Sequence, residues 1–378
     1  MKFRWNIAPA QPLLCEKLAG DLSLTTLLVQ CLVNRGFSEP EPIQHFLDPK
    51  LRRLADPFLI PNMAVAVDRL LLAHELGERI VIFGDYDVDG VTSTSLLREF
   101  LGRMGWLVDH YLPHRMDEGY GLSQEGVENC LRKFPAKLLL AVDCGSTAVQ
   151  SIAWLRERGV EVIVLDHHQV SEPAPAAVAL VNPQLAKSET PNPQRETHFK
   201  ELCSVGLAFK LAHALLKRGR EVDLPGAKEF DLRPLLDLVA LGTIADIVPL
   251  TGENRILVGV GLEWLNKTQR PGLVALKEVA QSPESMESFD VGYQLAPRLN
   301  AAGRLETAEE ALYLLLAQDA DEAIPIAQRL DAQNRERQKI ERGIAEADPS
   351  LDVDGYDAAV KVVAIDRKST RLNSSHRT

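Results

Sequence analysis

Acidic residues follow three apolar segments of this sequence in a way that suggests metal chemistry. The three strings are GDYDVDG (residues 84–90), VDCGST (142–147) and LDHH (165–168). If each apolar segment is a strand of a parallel sheet, the carboxyl ends of the strands share one edge, where such sheets bind their ligands. That edge would then collect the side chains of Asp85, Asp87, Asp89, Asp143, Asp166, His167 and His168.

Carboxylates this close together repel one another strongly, and divalent cations are the natural counter-charge. Aspartate together with histidine is a suitable ligand set for Mn²⁺ or Mg²⁺, and the histidine favours Mn²⁺. Asp87 and Asp89 are two residues apart, so on an extended chain they would point the same way and could serve two neighbouring ions. Asp246 lies in the apolar string ALGTIADIVPL (240–250), where a lone carboxylate needs a partner.

Three other ligand-binding motifs fit the sequence poorly. The string DYDVDG (85–90) opens like the calcium loop of an EF-hand, but the twelfth position of that loop is Leu96 instead of glutamate. The string GVG (259–261) is followed by Trp264 where a dinucleotide-binding loop has its third glycine. No GxxxxGK[ST] phosphate loop occurs, which excludes a P-loop ATPase.

The elements that must position these residues alternate between helices and strands. The apolar pattern predicts helices over residues 64–76, 92–104, 123–134 and 148–158, and strands over residues 80–83, 107–112, 137–142 and 160–165. This alternation predicts an α/β fold with a doubly wound, mainly parallel sheet. A helical segment follows from about residue 203, and residues 319–347 predict one long connecting helix.

Composition restricts the class of protein only loosely. The formal net charge is −11, whereas proteins that coat nucleic acids without sequence specificity are basic. An acidic enzyme that cleaves phosphodiesters would require divalent cations in its active site and a local basic surface along which the strand binds. The five scattered cysteines form no CxxC pair, which argues against a disulfide framework or a zinc site and indicates a reducing cytoplasm. No apolar run reaches the roughly 18 residues of a membrane span, so we expect no membrane partner.

The four acidic motifs resemble, in order and spacing, those of the DHH phosphoesterases, a family named after an Asp-His-His string that is residues 166–168 here. The resemblance implies a phosphodiesterase with two bound Mn²⁺ or Mg²⁺ ions. It implies that the metal ligands are Asp87, Asp89, Asp143, His167 and Asp246. Three further residues would be catalytic: Asp85 and Asp166 as outer ligands or orienting groups, and His168 facing the scissile phosphate.

Within that family the chain resembles the exonucleases that act on single-stranded DNA. Three strings carry this likeness: RWNIAP (4–9), HRMDEGYGLS (114–123) and YQLAPRLNAAGRL (293–305). They supply the substrate-binding candidates Arg115, Tyr120, Arg298, Asn300 and Arg304, arginine being suited to bidentate contact with phosphate. The implied activity is 5′→3′ hydrolysis of single-stranded DNA in repair and recombination, with a helicase and a single-strand-binding protein as partners.

The resemblance also implies a domain order. We expect an N-terminal helical segment (1–60), a DHH catalytic domain (61–318), a connecting helix (319–347) and the truncated start of a DHH-associated domain (348–365). Relatives continue into the rest of that domain, so we expect this chain to bind Mn²⁺ but to have weak or no processive exonuclease activity. The string DRKSTRLNSSH (366–376) resembles the in-frame translation of a sequencing-library adapter, and we expect residues 366–378 to be an assembly artefact outside the fold.

Two alternatives remain open. One is a DHH phosphodiesterase for small substrates such as oligoribonucleotides or cyclic dinucleotides, although such relatives are usually shorter and lack the N-terminal stretch and the string PRLNAAGR. The other is a non-catalytic scaffold with the same fold that has lost its metal ligands. The acids of all four motifs and both histidines are present here, which favours an enzyme.

Overall fold

The computed structural model describes residues 8–185, 199–305 and 307–347, with the side chains of residues 115–116, 304–305 and 344–347 outside that description. The predictions for residues 348–365 and 366–378, and for most of the string at residues 4–9, therefore lie outside the described residues. None of the described helices is long and apolar enough to cross a membrane. All five cysteines are free thiols.

The described strands are β1 (Ile80–Phe83), β2 (Val108–Tyr111), β3 (Leu138–Val142), β4 (Glu161–Leu165) and β5 (Ala179–Val181). The described α-helices are α1 (Pro12–Leu22), α2 (Thr26–Val33), α3 (Pro40–Leu47), α4 (Met63–Glu75), α5 (Val88–Arg103), α6 (Arg115–Glu118), α7 (Gln124–Lys133), α8 (Val149–Glu157), α9 (Ser204–Glu221), α10 (Leu236–Ala245), α11 (Gly252–Asn266), α12 (Pro271–Ala280), α13 (Ser288–Asp290), α14 (Ala296–Leu305), α15 (Glu309–Leu316) and α16 (Ala320–Ala347). A π-helical segment, Val291–Leu295, leads into α14.

The strands form one parallel sheet in the order β2-β1-β3-β4-β5. From β1 the chain crosses to β2 on one side, and from β3 it proceeds to β5 on the other, so the order reverses between β1 and β3. Such a reversal leaves a crevice at the carboxyl ends of the two strands, where doubly wound sheets bind ligands. The predicted doubly wound parallel fold, with a helical segment after about residue 203, is confirmed.

Side chains that alternate along each strand build a separate apolar core on each face of the sheet. Ile80 and Ile82 of β1 belong to the larger core, together with residues of α4, α5, α9 and α10. Val81 and Phe83 belong to the smaller core, together with residues of α7 and α8. Because both faces are covered, the strands are continuous apolar runs in the sequence.

Helix α5 begins at Val88, four residues before the predicted start at residue 92. The carboxylate of Asp87 caps the helix, since its Oδ1 accepts a hydrogen bond of 3.0 Å from the amide of Gly90. An aspartate cap satisfies one of the free amides in the first turn of a helix. Asp89 therefore lies in a helical first turn, and the expectation that Asp87 and Asp89 point the same way from an extended chain is wrong.

The described residues divide into two compact units, of which residues 45–331 form one. The sheet and every residue of the site described below lie in that unit. The domain limits expected from the sequence stay a prediction.

A buried ion pair anchors helix α9 within this unit. Lys210 is fully buried, and its Nζ donates hydrogen bonds to Glu253 Oε2 of α11 at 2.6 Å and to the carbonyl of Ala55 at 2.7 Å. Both charges are out of water, so each depends on the other for compensation. The pair fixes the helix whose first residues reach the candidate site.

We predict that Glu253→Ala lowers the free energy of unfolding by about 3–5 kcal/mol, because it leaves the Lys210 ammonium buried without a counter-charge. The double variant Lys210→Met/Glu253→Leu should recover most of that loss, since it removes both charges and keeps the volume. Guanidinium denaturation followed by circular dichroism measures both values. A double variant less stable than Glu253→Ala would show that the loss comes from packing and not from the uncompensated charge.

Candidate metal centre

The carboxyl ends of β1, β3 and β4 meet the end of helix α10 at the crevice of the sheet. Asp85 and Asp87 follow β1, Asp143 follows β3, the Asp166–His168 string follows β4, and Asp246 caps the end of α10. Asp143 has a φ of 61°, a left-handed conformation that aspartate tolerates better than most residues. The sequence-predicted ligands are thus brought to one place by four different elements.

His167 Nε2 faces three carboxylates at nearly equal distances. It lies 3.5 Å from Asp143 Oδ1, 3.7 Å from Asp246 Oδ2 and 3.8 Å from Asp89 Oδ2. These separations are too long for good hydrogen bonds, and neither His167 Nε2 nor Asp246 Oδ2 has a hydrogen-bond partner although both atoms are buried. Atoms that share an ion at about 2.0–2.3 Å from each would have such separations, so the residues fit a bound divalent cation.

A second group of ligand atoms adjoins the first. Oxygen atoms of Asp85, Asp87 and Asp143 lie within 4.8 Å of one another. Asp143 belongs to both groups and is therefore placed between two potential ions. Asp85 is buried and its Oδ2 has no hydrogen-bond partner, so of the two roles expected of Asp85, outer ligand or orienting group, the geometry favours the ligand.

The electrostatics of the cluster are those of crowded acids. Burial, followed by the charges of Asp246 and Asp87, raises the pKa of Asp89 well above its usual value. Burial and then Asp87 likewise raise the pKa of Asp143. The same two causes raise the pKa of Asp85 and that of Asp246 to about 7 each. A cation among these groups removes the repulsion that produces the shifts.

The first turn of helix α9 holds two of the acids in place. Asp89 accepts hydrogen bonds from the amides of Ser204 at 2.7 Å and Val205 at 2.8 Å. The Ser204 hydroxyl donates to Asp143 Oδ1 at 2.9 Å. Ser204 is not among the sequence-predicted site residues. A serine at the start of a predicted helix is nevertheless a sequence signal that its polar groups form hydrogen bonds at that end of the helix.

Asp166 orients the second histidine of the Asp-His-His string. Its Oδ1 lies 2.7 Å from His168 Nδ1 and accepts from the amide of His167 at 2.8 Å, while its Oδ2 accepts from the amide of Ser146 at 3.0 Å. Burial raises the pKa of Asp166, but hydrogen bonds from His168 and Ser146 outweigh burial and hold the pKa at about 2. The hydrogen bond to Asp166 raises the pKa of His168 to about 9.

The pKa values of the two histidines are therefore shifted in opposite directions. Burial, followed by the charge of His168, lowers the pKa of His167 to about 4. A neutral imidazole offers a lone pair to a metal ion. A protonated His168 instead offers N–H donors, of which Nε2 is free of the contact with Asp166.

Two substrate-binding candidates have protein partners. Arg298 donates from Nε to Asp331 Oδ1 at 2.9 Å and from Nη1 to the carbonyl of Gln294 at 2.6 Å. Asn300 Oδ1 accepts a hydrogen bond of 3.2 Å from the amide of Val88, the first residue of α5. Both side chains therefore support the protein itself, and the phosphate contacts expected of them stay a prediction.

The other three candidates differ in how far the structure describes them. The backbones of Arg115 and Arg304 lie in α6 and α14, but their side chains lie outside the described residues. Tyr120 is 61% exposed, and its ring meets that of Tyr86 edge to face at 5.9 Å between centroids. Tyr86 lies between two acids of the site, so Tyr120 lies beside the Asp85 end of the cluster.

Helix α14 packs directly against the loop between β1 and α5 (residues 84–87), which we call the first acidic loop. A Cβ added to Gly303 would lie 2.6 Å from the carbonyl oxygen of Tyr86, so only glycine fits there. Together with the bond from the Val88 amide to Asn300, this contact shows what the string YQLAPRLNAAGRL does in the fold. It supports the loop that presents Asp85 and Asp87.

Glu118 organises the loop that carries Arg115 and Tyr120, and sequence analysis gave it no role. It is buried and accepts hydrogen bonds from Asn129 Nδ2 at 2.5 Å, from the amide of His114 at 2.6 Å and from the hydroxyl of Tyr111. One carboxylate thus joins β2, α7 and the loop. The sequence feature that could have indicated this role is the position of Glu118 within the string HRMDEGYGLS, between Arg115 and Tyr120.

Comparison with protein families places most of the sheet in one family. The model for the DHH family, N-terminal domain, matches residues 79–243, which include the acidic motifs after β1, β3 and β4. A second model, for homoserine dehydrogenase, matches residues 327–377, of which the described part is the second portion of α16.

Among curated relatives, the single-stranded-DNA-specific exonuclease RecJ of Bacillus subtilis is 40% identical over 366 residues, covering 96% of this chain and 44% of the relative. RecJ of Thermus thermophilus is 35% identical over 377 residues, covering 96% of this chain and 52% of the relative. The chain thus spans about half the length of the curated relatives it matches.

Two solved structures are also similar. A crystal structure of exonuclease RecJ bound to manganese is 36% identical with a TM-score of 0.66, covering 76% of this chain and 69% of that one. RecJ of Thermus thermophilus in complex with Mn²⁺ is 33% identical with a TM-score of 0.75, covering 91% and 47%.

The sheet and its acidic crevice define a DHH-family domain. More particularly, the identity and the shared structure show that the chain belongs to the RecJ exonuclease family within it.

We predict that Gly303→Ala weakens Mn²⁺ binding and lowers the free energy of unfolding, because the new methyl group displaces the carbonyl of Tyr86 and with it the first acidic loop. Gly292→Ala is the matched control, since its Cβ would lie 3.7 Å from Ile244, at ordinary contact distance. Isothermal titration with Mn²⁺ compares the two. Equal Mn²⁺ affinities would show that α14 does not position the loop.

We predict that Glu118→Gln lowers the free energy of unfolding by about 1–3 kcal/mol, because an amide cannot accept from all three donors. It should also speed hydrogen exchange at the amide of His114, which loses its acceptor. Glu125→Gln, an exposed change on neighbouring α7, serves as the control and should alter neither quantity. Unchanged exchange at His114 in Glu118→Gln would rule out this role.

Proposed function

We propose that this chain carries the catalytic centre of a metal-dependent exonuclease that hydrolyses single-stranded DNA in the 5′→3′ direction, in repair and recombination. The observation that carries the proposal is His167 Nε2 facing three carboxylate oxygens at 3.5–3.8 Å with no hydrogen-bond partner. The relatives named single-stranded-DNA-specific exonucleases support the substrate. The 5′→3′ polarity derives from the family resemblance alone.

The cofactors we propose are two Mn²⁺ or Mg²⁺ ions, as RecJ structures contain each metal. The proposed ligands are Asp87, Asp89, Asp143, His167 and Asp246, with Asp143 shared between the two groups. Bound ions would activate a water molecule and neutralise charge on the phosphodiester. The ligand set of carboxylates and one imidazole suits both metals and favours Mn²⁺.

His168 is the residue we propose to contact the scissile phosphate. Its Nδ1 is held by Asp166, and this hydrogen bond raises the pKa of the ring to about 9, which favours the protonated form at neutral pH. Its Nε2 can then donate to a non-bridging phosphate oxygen, where negative charge develops during hydrolysis. Asp166 fixes the direction of this donor, and Asp85 completes the acidic loop on the other side.

Strand binding requires groups beyond the acids. The proposed substrate-binding residues are Arg115, Tyr120, Arg298, Asn300 and Arg304. The family resemblance further predicts a helicase and a single-strand-binding protein as partners, in the cytoplasm, and the five free thiols are compatible with a reducing compartment.

We predict that Asp246→Asn weakens Mn²⁺ binding at least about tenfold, because it removes a negative ligand from the group around His167. In the unchanged chain, Mn²⁺ at about a hundred times its dissociation constant should stabilise the fold by about 2.7 kcal/mol. Thermal unfolding with and without Mn²⁺ measures both effects. Asp321→Asn, an exposed change in the first turn of α16, is the control and should keep the wild-type response.

Single strands labelled at the 5′ or the 3′ end test the activity. With Mn²⁺, the weak, non-processive activity expected of this chain should release the 5′ label first, as a mononucleotide, and His168→Ala should slow this release by about two to three orders of magnitude. Early release of the 3′ label would contradict the polarity. Hydrolysis of oligoribonucleotides or cyclic dinucleotides in place of DNA would favour the other DHH phosphodiesterases.

A further inference from the structure

Two aromatic rings are stacked on each other at the protein surface. Phe289 is 66% exposed and Tyr293 is 60% exposed, with ring centroids 4.4 Å apart and planes inclined by 24°. Aromatic side chains are usually found in cores or interfaces, where they bury much of their area. The rings are stacked face to face, so each covers one face of the other while most of the remaining surface of both is exposed. Phe289 precedes and Tyr293 lies within the π-helical segment Val291–Leu295, and such segments are frequent at functional sites.

The segment that carries Tyr293 packs against α10, the helix capped at its end by Asp246. The backbone of Gly292 packs against Ile244, at 3.7 Å from the Cβ position to the Ile244 side chain. Ile244 is two residues before Asp246, and the residue after Asp246, Ile247, is 85% exposed with a φ of 61°. The π-helical segment that carries Tyr293 is therefore packed against the end of α10 that leads to Asp246, on a different element from the one that carries Tyr120.

The charges near the rings indicate what could bind there. Glu287 and Asp290 flank Phe289, and the Glu287 amide donates to Asp290 Oδ2 at 2.8 Å. The whole chain also has a formal net charge of −11. Phosphate groups are repelled by such surroundings, whereas uncharged bases are not. A single strand can therefore contact this surface through its bases, and base stacking on aromatic rings contributes affinity without regard to sequence.

We propose that Phe289 and Tyr293 form a stacking platform for unpaired bases of the strand whose phosphodiester occupies the metal centre. This platform deepens the proposed nuclease function and depends on it. The strand would run between Tyr120 at one end of the acid cluster and the platform at the other. The platform acts on strand affinity and takes no part in bond cleavage.

The test compares probes with and without bases. A fluorescent strand of ten deoxyadenylates and a strand with the same phosphates but abasic sugars are titrated by anisotropy, with Ca²⁺ in place of Mn²⁺ and the probes checked for integrity. The wild-type chain should bind the deoxyadenylate strand more tightly. Phe289→Ala/Tyr293→Ala should weaken that binding at least about fivefold and leave the abasic strand unchanged. Tyr293→Phe keeps an aromatic ring, so it should retain most of the contribution of Tyr293 to the affinity for the deoxyadenylate strand.

Tyr313→Ala is the matched control, because Tyr313 is another exposed aromatic residue, on α15, whose ring meets that of His110. It should bind both probes as the wild type does. An unchanged preference for bases in the double variant, or an equal loss for both probes, would overturn the platform. A double variant that alters self-association without altering base preference would assign the rings to a protein partner and also overturn it. Mn²⁺-dependent hydrolysis of a short strand by the wild-type chain is measured separately, so a failure of the nuclease function is distinguishable.

Discussion

The repulsion between carboxylates gathered at one edge of the sheet is the constraint on which the rest of the structure depends. Asp89 and Asp143 are buried among other acids, and Asp85 has a pKa near 7 in place of 3.8. A shift of that size corresponds to about 4 kcal/mol of unfavourable interaction for the charged form. A bound cation would remove this cost, and the unpartnered buried atoms His167 Nε2 and Asp246 Oδ2 fit such an ion.

The surrounding elements supply the rigidity that such a cluster needs. Amides at the start of α9 hold Asp89, and α9 itself is fixed by the buried pair of Lys210 and Glu253. On the other side α14 supports the first acidic loop through Asn300 and Gly303. Since each support comes from a segment far along the chain, the geometry of the proposed ligands is a property of the whole unit and not of the motifs alone.

The sequence predicted the sheet well because its strands are covered on both faces and are therefore uninterrupted apolar runs. It also predicted the convergence of the acids, because parallel strands share their carboxyl edge. It did not predict that Asp87 caps α5. Asp89 therefore lies in the first turn of that helix, and Asp87 and Asp89 do not project the same way from an extended chain. Ser204, Glu118 and the contacts of Asn300 could not be found from spacing, since each depends on a tertiary contact between segments that are distant in sequence or on different elements.

The same negative charge that attracts metal ions must also repel the phosphates of a DNA strand. Bound cations would neutralise most of the charge at the crevice, so contact with the scissile phosphate becomes conditional on metal. Neutral bases meet no such barrier, and the exposed rings of Tyr120 and of the proposed platform, Phe289 and Tyr293, offer them surfaces to stack on. An acidic protein can therefore recognise one strand through two kinds of contact: a metal-dependent contact with its phosphate and a metal-independent contact with its bases. Only the contact with phosphate should weaken strongly when salt is added.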